Sequence, residues 1–261
     1  MRKRVKIALP VLLLAVLGMV VWQIWCLQTR ATPDPICKGK RMSEWLKDVD
    51  PQTRKLTASA AEALRQMGTN ALPRLLMEAS AHGFGPTELL IDLLKKQPVL
   101  KFHFESNSDH QSKALRGFYA LGEAGAVGLA QGLTNSNKWI RHGSIGQWEM
   151  EKDYPAILFE PLLNRLKDPD PMVRARAANA LGMLGQQPDR VVPVLTGLLH
   201  DPDNWVRCMA ALGLSLYGDR AKSAVPVLLN CLTNCGSDFR FFGTNALKAI
   251  NPAAASKAGV K

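Results

Sequence analysis

The chain has 261 residues, 47% hydrophobic and 21% charged, which is enough apolar material for a sizeable core and not the composition of a disordered chain. Its formal net charge is +11, and four of the positives (Arg2, Lys3, Arg4, Lys6) precede the first apolar run, leaving 29 basic against 22 acidic residues for the rest. That balance suits an acidic partner or an anionic surface and carries no information about fold.

Residues 1–6 read as a basic cytoplasmic segment and residues 7–26 as a transmembrane signal anchor. Between Ile7 and Trp25 only Pro10 and Gln23 interrupt the apolar run. About 20 helical residues at about 1.5 Å each cross a hydrocarbon core of about 30 Å. Pro10 falls in the first turns, where a missing N–H does little harm. Trp22 and Trp25 fall at the far end, where amphipathic rings favour the interface. The run lacks the polar stripe of a globular core helix. It also lacks the small-residue cleavage site of a signal peptide, and the bulky residues before Cys26 do not suit lipoprotein processing. Cleavage, and hence a secreted domain, is the alternative. The positive-inside rule keeps the basic start in the cytoplasm and places the C-terminal domain outside, although Arg30, Lys38, Lys40 and Arg41 oppose that orientation. Residues 27–50 read as a linker and N-terminal cap. They end in a short helix capped by Ser43, with Trp45 and Leu46 packing on the first repeat.

Residues 51–252 repeat. Asp168-Pro169-Asp170 recurs 33 residues later as Asp201-Pro202-Asp203, Val173-Arg174 as Val206-Arg207, Ala177-Ala178 as Ala210-Ala211, Leu181 as Leu214 and Gly185 as Gly218. A third copy beginning at Pro226 supplies Phe239-Arg240 and Leu247, and one step upstream lie Ile140-Arg141 with Asn135 and Asn137 in place of the aspartates. Each copy reads as a helical hairpin. Pro161, Pro193 or Pro226 opens the first helix. Leu162, Leu163 and Leu166, then Leu195, Leu198 and Leu199, form its apolar face. The Asp-Pro-Asp turn caps the second helix, whose small alanines allow close contact and which Gly185 or Gly218 ends. Such a hairpin cannot bury its own apolar face, so neighbours must stack into an all-α solenoid. Ala60–Leu76 and Ala120–Leu129 carry weaker copies. Residues 80–113 break the period, with a predicted helix from Pro86 to Lys96 and a polar loop from Glu105 to His110. Residues 253–261 read as a flexible tail.

The string DPDPMVRARAANALGMLG at 168–185 resembles HEAT repeats, particularly the short PBS-lyase-like type, and the resemblance extends over roughly residues 51–252. Ankyrin repeats share the period, but their T-P-L-H signature is absent, as is tetratricopeptide spacing. The resemblance implies a right-handed superhelix whose second helices line an inner surface. It implies a protein-binding role for most members and bilin-lyase or DNA-repair activity for a minority. It also implies that Arg141, Arg174, Arg207 and Arg240 bond the turn aspartates Asp168, Asp170, Asp201 and Asp203 of neighbouring repeats as a structural ladder.

No catalytic constellation is visible. His82, His103, His110, His142 and His200 are scattered, and no P-loop, G-x-S-x-G or dinucleotide-binding string occurs. Cys37, Cys208, Cys231 and Cys235 show no zinc-ligand spacing; Cys231 and Cys235 are close enough in sequence for a disulfide, against the simpler reading of small buried residues. No cofactor or metal is expected. Trp139 and Trp205 occupy equivalent positions early in second helices and are the candidate partner anchors, or else pack on the turn. Phe241, Phe242 and Trp148 read as core. The expectation is a membrane-anchored scaffold that binds protein. The alternatives are a bilin-lyase-like enzyme or subunit, by analogy alone, and nucleic-acid binding through the arginine series, which an extracytoplasmic location disfavours.

Overall fold

The computed structural model describes residues 32–81, 107–146, 156–234 and 236–257. The segment 7–26, the predicted helix from Pro86 to Lys96, Trp148 and Cys235 lie outside them. No helix among the described residues is long and apolar enough to cross a membrane. The chain divides into two compact units, residues 1–125 and 126–261.

The first unit opens with a two-residue antiparallel pair, β1 (Ile36–Cys37) and β2 (Lys40–Arg41). Lys38 and Gly39 both adopt positive φ (52° and 74°), as a two-residue hairpin turn requires. The sequence suggests no strand here, because two residues per strand are too few to show alternation. The short helix is present as α1 (Met42–Trp45), but Ser43 lies inside it. Asp34, from the stretch of chain before β1, accepts the Ser43 backbone N–H at 3.1 Å and hydroxyl at 2.6 Å. The Trp45 indole donates to the Cys37 carbonyl at 3.1 Å. Then come α2 (Ala58–Met67), whose N-cap Thr57 accepts from the Ala60 N–H, α3 (Leu72–Ala79) with Pro73 in its first turn, and α4 (Asn107–Leu121). α4 starts inside the stretch read as a polar loop. Polarity misleads at His110, which is buried against Glu78, itself bonded to Arg74, while Asp109 beside it is exposed. α4 packs on α2 and α3. At Gly117 the contact is so close that a Cβ would lie 2.3 Å from Leu75 and 3.3 Å from Leu46.

The second unit is a series of hairpins. α5 (Glu123–Leu133), which begins just before the unit boundary, is followed by α6 (Lys138–Gly146). α7 (Phe159–Arg165) pairs with α8 (Pro171–Leu184), α9 (Pro188–Leu198) with α10 (Asn204–Tyr217), and α11 (Val225–Asn234) with α12 (Ser237–Ile250). The second helices stack in order, α6 on α8, α8 on α10 and α10 on α12. Burial tracks the 33-residue register. Leu162, Leu195 and Leu228 are fully buried on the first helices, as are Val173, Val206 and Phe239, and Leu181, Leu214 and Leu247, on the second. Each such side chain contributes about 2 kcal/mol on leaving water. In the first two copies the buried leucines, Leu162 with Leu166 and Leu195 with Leu199, are four apart, and Leu163 and Leu198 are only half-buried. Gly185 and Gly218 end α8 and α10 with φ of 58° and 57°. Pro193 is a correction: α9 starts five residues earlier, at Pro188, and Pro193 sits inside it. Because Pro188 already supplies a locked first turn, Pro193 only removes one bond, to the Asp189 carbonyl.

Two further departures concern α12 and the chain beyond it. Phe241 is 66% exposed, so it is not core; Phe239, in register with Val173 and Val206, takes the buried position. Residues 252–257 are not a loose tail but α13 (Pro252–Lys257). Asn251 accepts the Ala254 N–H at 3.1 Å, and Ala255 is buried where α13 meets α12.

The tightest joint is between α8 and α10. A Cβ on Gly182 would lie 2.5 Å from the Gly213 Cα, and one on Gly213 would lie 2.6 Å from the Ala178 carbonyl oxygen. Backbone cannot yield as a side chain can. Just beyond, the buried Tyr217 hydroxyl lies 3.0 Å from the Leu181 carbonyl and 2.8 Å from that of Gln186, tying the two helix ends together. Burial pushes its phenol up to about 12, against the opposing pull of Arg220.

Gly213→Ala should therefore destabilise the chain by about 1–3 kcal/mol despite the better helix propensity of alanine. Gly197→Ala, where a Cβ meets nothing within 4 Å, should be neutral or stabilise by about 0.5 kcal/mol. Urea unfolding of the two variants beside the parent measures both.

Candidate functional site

The turn between the helices of each hairpin is built from short polar side chains. Asp168 Oδ1 accepts the Asp170 N–H at 3.0 Å, and Asp170 Oδ1 accepts the Met172 N–H at 3.0 Å. Asp201 and Asp203 repeat this at 2.9 Å and 2.8 Å, to the N–H groups of Asp203 and Trp205. Asn135 and Asn137 do the same for Asn137 and Trp139, which shows that the turn needs a carbonyl-type acceptor and not a charge. The charge has another use. The Nε and Nη2 of Arg141 each donate at 2.8 Å to the two oxygens of Asp168, one hairpin further on. Arg174 grips Asp201 in the same way, at 2.9 Å and 2.8 Å. The remaining Nη1 turns back onto two carbonyls of its own turn: Asn135 and Ser136 for Arg141, Asp168 and Pro169 for Arg174. Each guanidinium thus joins two successive turns in a bidentate geometry that lysine could not supply.

The series does not continue. Arg207 makes the same Nη1 bonds, to the carbonyls of Asp201 and Pro202, but its Nη2 bonds Asn204. Its Nε is buried with no hydrogen-bond partner among the described residues. The reason is legible in register: 33 residues beyond Asp201 stands Asn234. Arg240 is exposed and has no carboxylate partner among the described residues. Asp170 and Asp203 are not rungs either; they cap α8 and α10, and Asp170 also bonds Lys138 at 3.0 Å. Only Arg141–Asp168 and Arg174–Asp201 are brought together as pairs.

Burial by itself would raise the Asp168 carboxyl. The hydrogen bonds from Arg141 and from the Asp170 N–H, with the charges of Arg141 and Arg165, outweigh it and hold the carboxyl below its ordinary value. The opposite pull acts on Arg174, whose bonds to Asp201 hold it above the usual arginine range.

The two tryptophans differ. Trp139 is half-buried, its ring edge-on to His142 with centroids 6.3 Å apart and the Lys138 ammonium 4.7 Å above it. Trp205 is 45% exposed and meets Phe242 edge-on at 6.0 Å; Phe242 meets Phe241 at 5.3 Å. Sequence reasoning misses the surface to which Trp205 belongs. Met183 on α8, Trp205 and Leu216 on α10 and Phe241 on α12 are all more than two-fifths exposed, and every one lies on a second helix. The signal is present in the repeat register, since 183 and 216 are equivalent positions and both are apolar.

Among the described residues no group of three or more His, Cys, Asp or Glu side chains is arranged to hold a metal ion. Cys208 and Cys231 are buried, the latter with its thiol 3.7 Å from the Leu199 carbonyl.

Residues 159–248 match the family model for HEAT repeats. Over that stretch the chain is similar to HEAT repeats. Similar solved structures include two engineered proteins. One is 19% identical, with 81% of this chain and 95% of that one covered and a TM-score of 0.47. For the other the values are 23%, 84%, 60% and 0.46. Scores of this size add nothing to the fold described above. A search of curated proteins gives no match. The HEAT match spans α7 to α12, the same helices that carry the exposed apolar side chains, and this is a repeat architecture suited to protein interaction.

Because the native Asp168 carboxyl is lowered, its contribution to stability is fully present above the ordinary value of 3.8 and is lost as pH falls through the lower native value. Asp168→Asn should flatten that acid limb and, at neutral pH, cost about 3 kcal/mol by stranding Arg141. Chemical unfolding across the acid range checks both the slope and the offset.

Proposed function

We propose that this chain is a non-catalytic HEAT scaffold, anchored to a membrane by residues 7–26, that holds a protein partner outside the cytoplasm on the face formed by α8, α10 and α12. The observation that carries the binding reading is the set of Met183, Trp205, Leu216 and Phe241, exposed on three successive second helices. A stacked array needs its small and branched residues inside; it gains nothing from large apolar side chains turned outward, and a patch of them on one face marks a contact surface. The anchor and the orientation rest on the apolar run and on the basic residues before it.

Nucleic acid is the weaker reading. Of the arginine series, Arg141 and Arg174 are engaged within the turns by aspartates and carbonyls and Arg207 bonds two turn carbonyls and Asn204, which leaves Arg240 as the exposed member without a carboxylate partner among the described residues.

Two measurements test this. A reporter fused after Lys261 should be active outside the cytoplasm; activity only inside rejects the orientation. Crosslinking in intact cells, with capture of the full chain in mild detergent, should yield a partner that is lost with Trp205→Ala plus Leu216→Asp. The same partner should be kept with Ile157→Asp, a control because Ile157 is 49% exposed and belongs to the short turn before α7, not to a second helix. Retention of the partner by the double variant rejects the face.

A further inference from the structure

The chain enters its first unit on a short lead. Residues 27–31 are all that separates the segment 7–26 from Thr32, and from Thr32 onward the chain is held. The Thr32 hydroxyl donates to Met77 Sδ at 2.9 Å, Asp34 accepts from the Ser43 hydroxyl, and the Pro35 carbonyl accepts the Met42 N–H at 2.8 Å. Pro33 and Pro35 fix φ on either side of Asp34. Fully extended, the chain from Cys26 to Thr32 spans at most about 22 Å, and Ile36 follows four residues later. With residues 7–26 in a bilayer, the β1–β2 hairpin is the first folded element at its surface.

The hairpin has two unlike faces. Cys37 stands opposite Lys40 and Ile36 opposite Arg41, and opposite residues share a face while successive ones alternate. The Cys37–Lys40 pair is turned into the unit. The Cys37 thiol donates to Gln66 at 3.3 Å, and the Lys40 ammonium lies 4.4 Å from the centre of the Trp45 ring and bonds Asp48. β1 packs on α2. The Ile36–Arg41 pair is turned out: Ile36 is 67% exposed, and Arg41 is exposed beside it, as is Lys38 in the turn. One exposed isoleucine means nothing by itself; its position, at the lead and among bases, does.

The charge around it is one-sided. Each acid between Thr32 and Thr57 is engaged within the unit: Asp34 by Ser43, Glu44 by the Arg41 N–H, Asp48 by Lys40, and Asp50 by the N–H groups of Gln52 and Thr53. Lys38, Arg41, Arg54 and Lys55 are exposed and have no carboxylate partner among the described residues.

We infer that the outer face of the β1–β2 hairpin rests on the bilayer that holds segment 7–26, with Ile36 entering the interface and Lys38 and Arg41 meeting the headgroups of anionic lipids. The inference goes beyond the protein-binding face of α8, α10 and α12 and rests on the anchor reading alone. A lipid surface satisfies both parts of this face at once. The aliphatic side chain and the stems of the two bases lie against the acyl boundary, while the charged ends stay with the phosphates. The bases that follow the apolar run, which count against the assigned orientation, thereby have a place at the surface.

The test places the photocrosslinking residue p-benzoylphenylalanine at position 36 of the full chain. The protein is reconstituted into vesicles of phosphatidylcholine alone, or with about one third phosphatidylglycerol, and lipid adducts are measured by mass spectrometry after irradiation. A second form carries about 20 Gly and Ser residues between Ala31 and Thr32, so that the lead no longer holds the hairpin at the surface. In anionic vesicles the lengthened form should keep its adduct yield within about twofold of the short one, and in neutral vesicles it should lose about fivefold or more. Lys38→Glu with Arg41→Glu in the lengthened form should lower the anionic yield about fivefold or more, and high salt should do the same. An equal loss on lengthening in both vesicle types means that the hairpin is only tethered, and overturns the proposal. So does a parent chain that resists alkaline extraction from the vesicles yet gives no lipid adduct at position 36, in which case the anchor stands. A chain that alkaline extraction strips from the vesicles overturns the anchor and this contact together, and leaves the protein-binding face to the capture experiment above.

Discussion

Arg174 holds its place in the stack by bonding in two directions. One nitrogen returns to the carbonyls of the turn that precedes its own helix, and the other two close on Asp201 in the next turn. Arg141 does the same one step earlier. The distance between consecutive turns is thereby set by the size of one guanidinium and one carboxylate, and everything inward of the turns must agree with it. The agreement is visible at Gly182 and Gly213, where backbone touches backbone, and at the 33-residue ranks of Leu, Val and Phe that fill the space between hairpins. Hydrophobic burial supplies most of the stability, but it is not directional and would tolerate some sliding. The paired turns remove that freedom.

Much of this is legible in the residues alone. The copies in phase at Asp168–Gly185 and Asp201–Gly218 determine where hairpins begin and end, because caps, apolar spacing and terminating glycines all agree within each copy. The points of disagreement share a cause. Pro193 reads as a helix start because proline usually is one, yet Pro188 five residues earlier already serves. Phe241 reads as core because it is large and apolar, whereas its neighbour Phe239 holds the register position that faces inward. The run Glu105–His110 reads as loop because it is polar, although His110 pairs with the buried Glu78 from a distant helix. In each case residue type speaks without the long-range partner that decides orientation.

The candidate surface is harder to read than the fold for a related reason. Trp205 stands out by type, but a single tryptophan can pack on its own helix, as the half-buried Trp139 does beside Lys138 and His142. What distinguishes Trp205 is its company, Leu216 on the same helix and Met183 and Phe241 on the flanking ones. That grouping depends on the stacking of three helices and on which side of each remains uncovered. Repeat register brings these residues into line, while their exposure is a property of the assembled array.

The presence of Asn234 where an aspartate would continue the series has a mechanical meaning. At the joint between the α9–α10 hairpin and the α11–α12 hairpin Arg207 has no carboxylate partner among the described residues, and the Asn204–Asp238 bond of 3.4 Å and the Cys231 thiol on the Leu199 carbonyl at 3.7 Å cross it in place of a bidentate pair. A stacked array opens first at its weakest seam, and amide protons of α12 would exchange with solvent ahead of those of α8. That seam runs beneath the aromatic cluster of Trp205 and Phe242, so whatever settles on the cluster also bridges the seam. Occupancy would then stiffen the array as well as cover it, and slower exchange across α12 would report a guest without any change of shape.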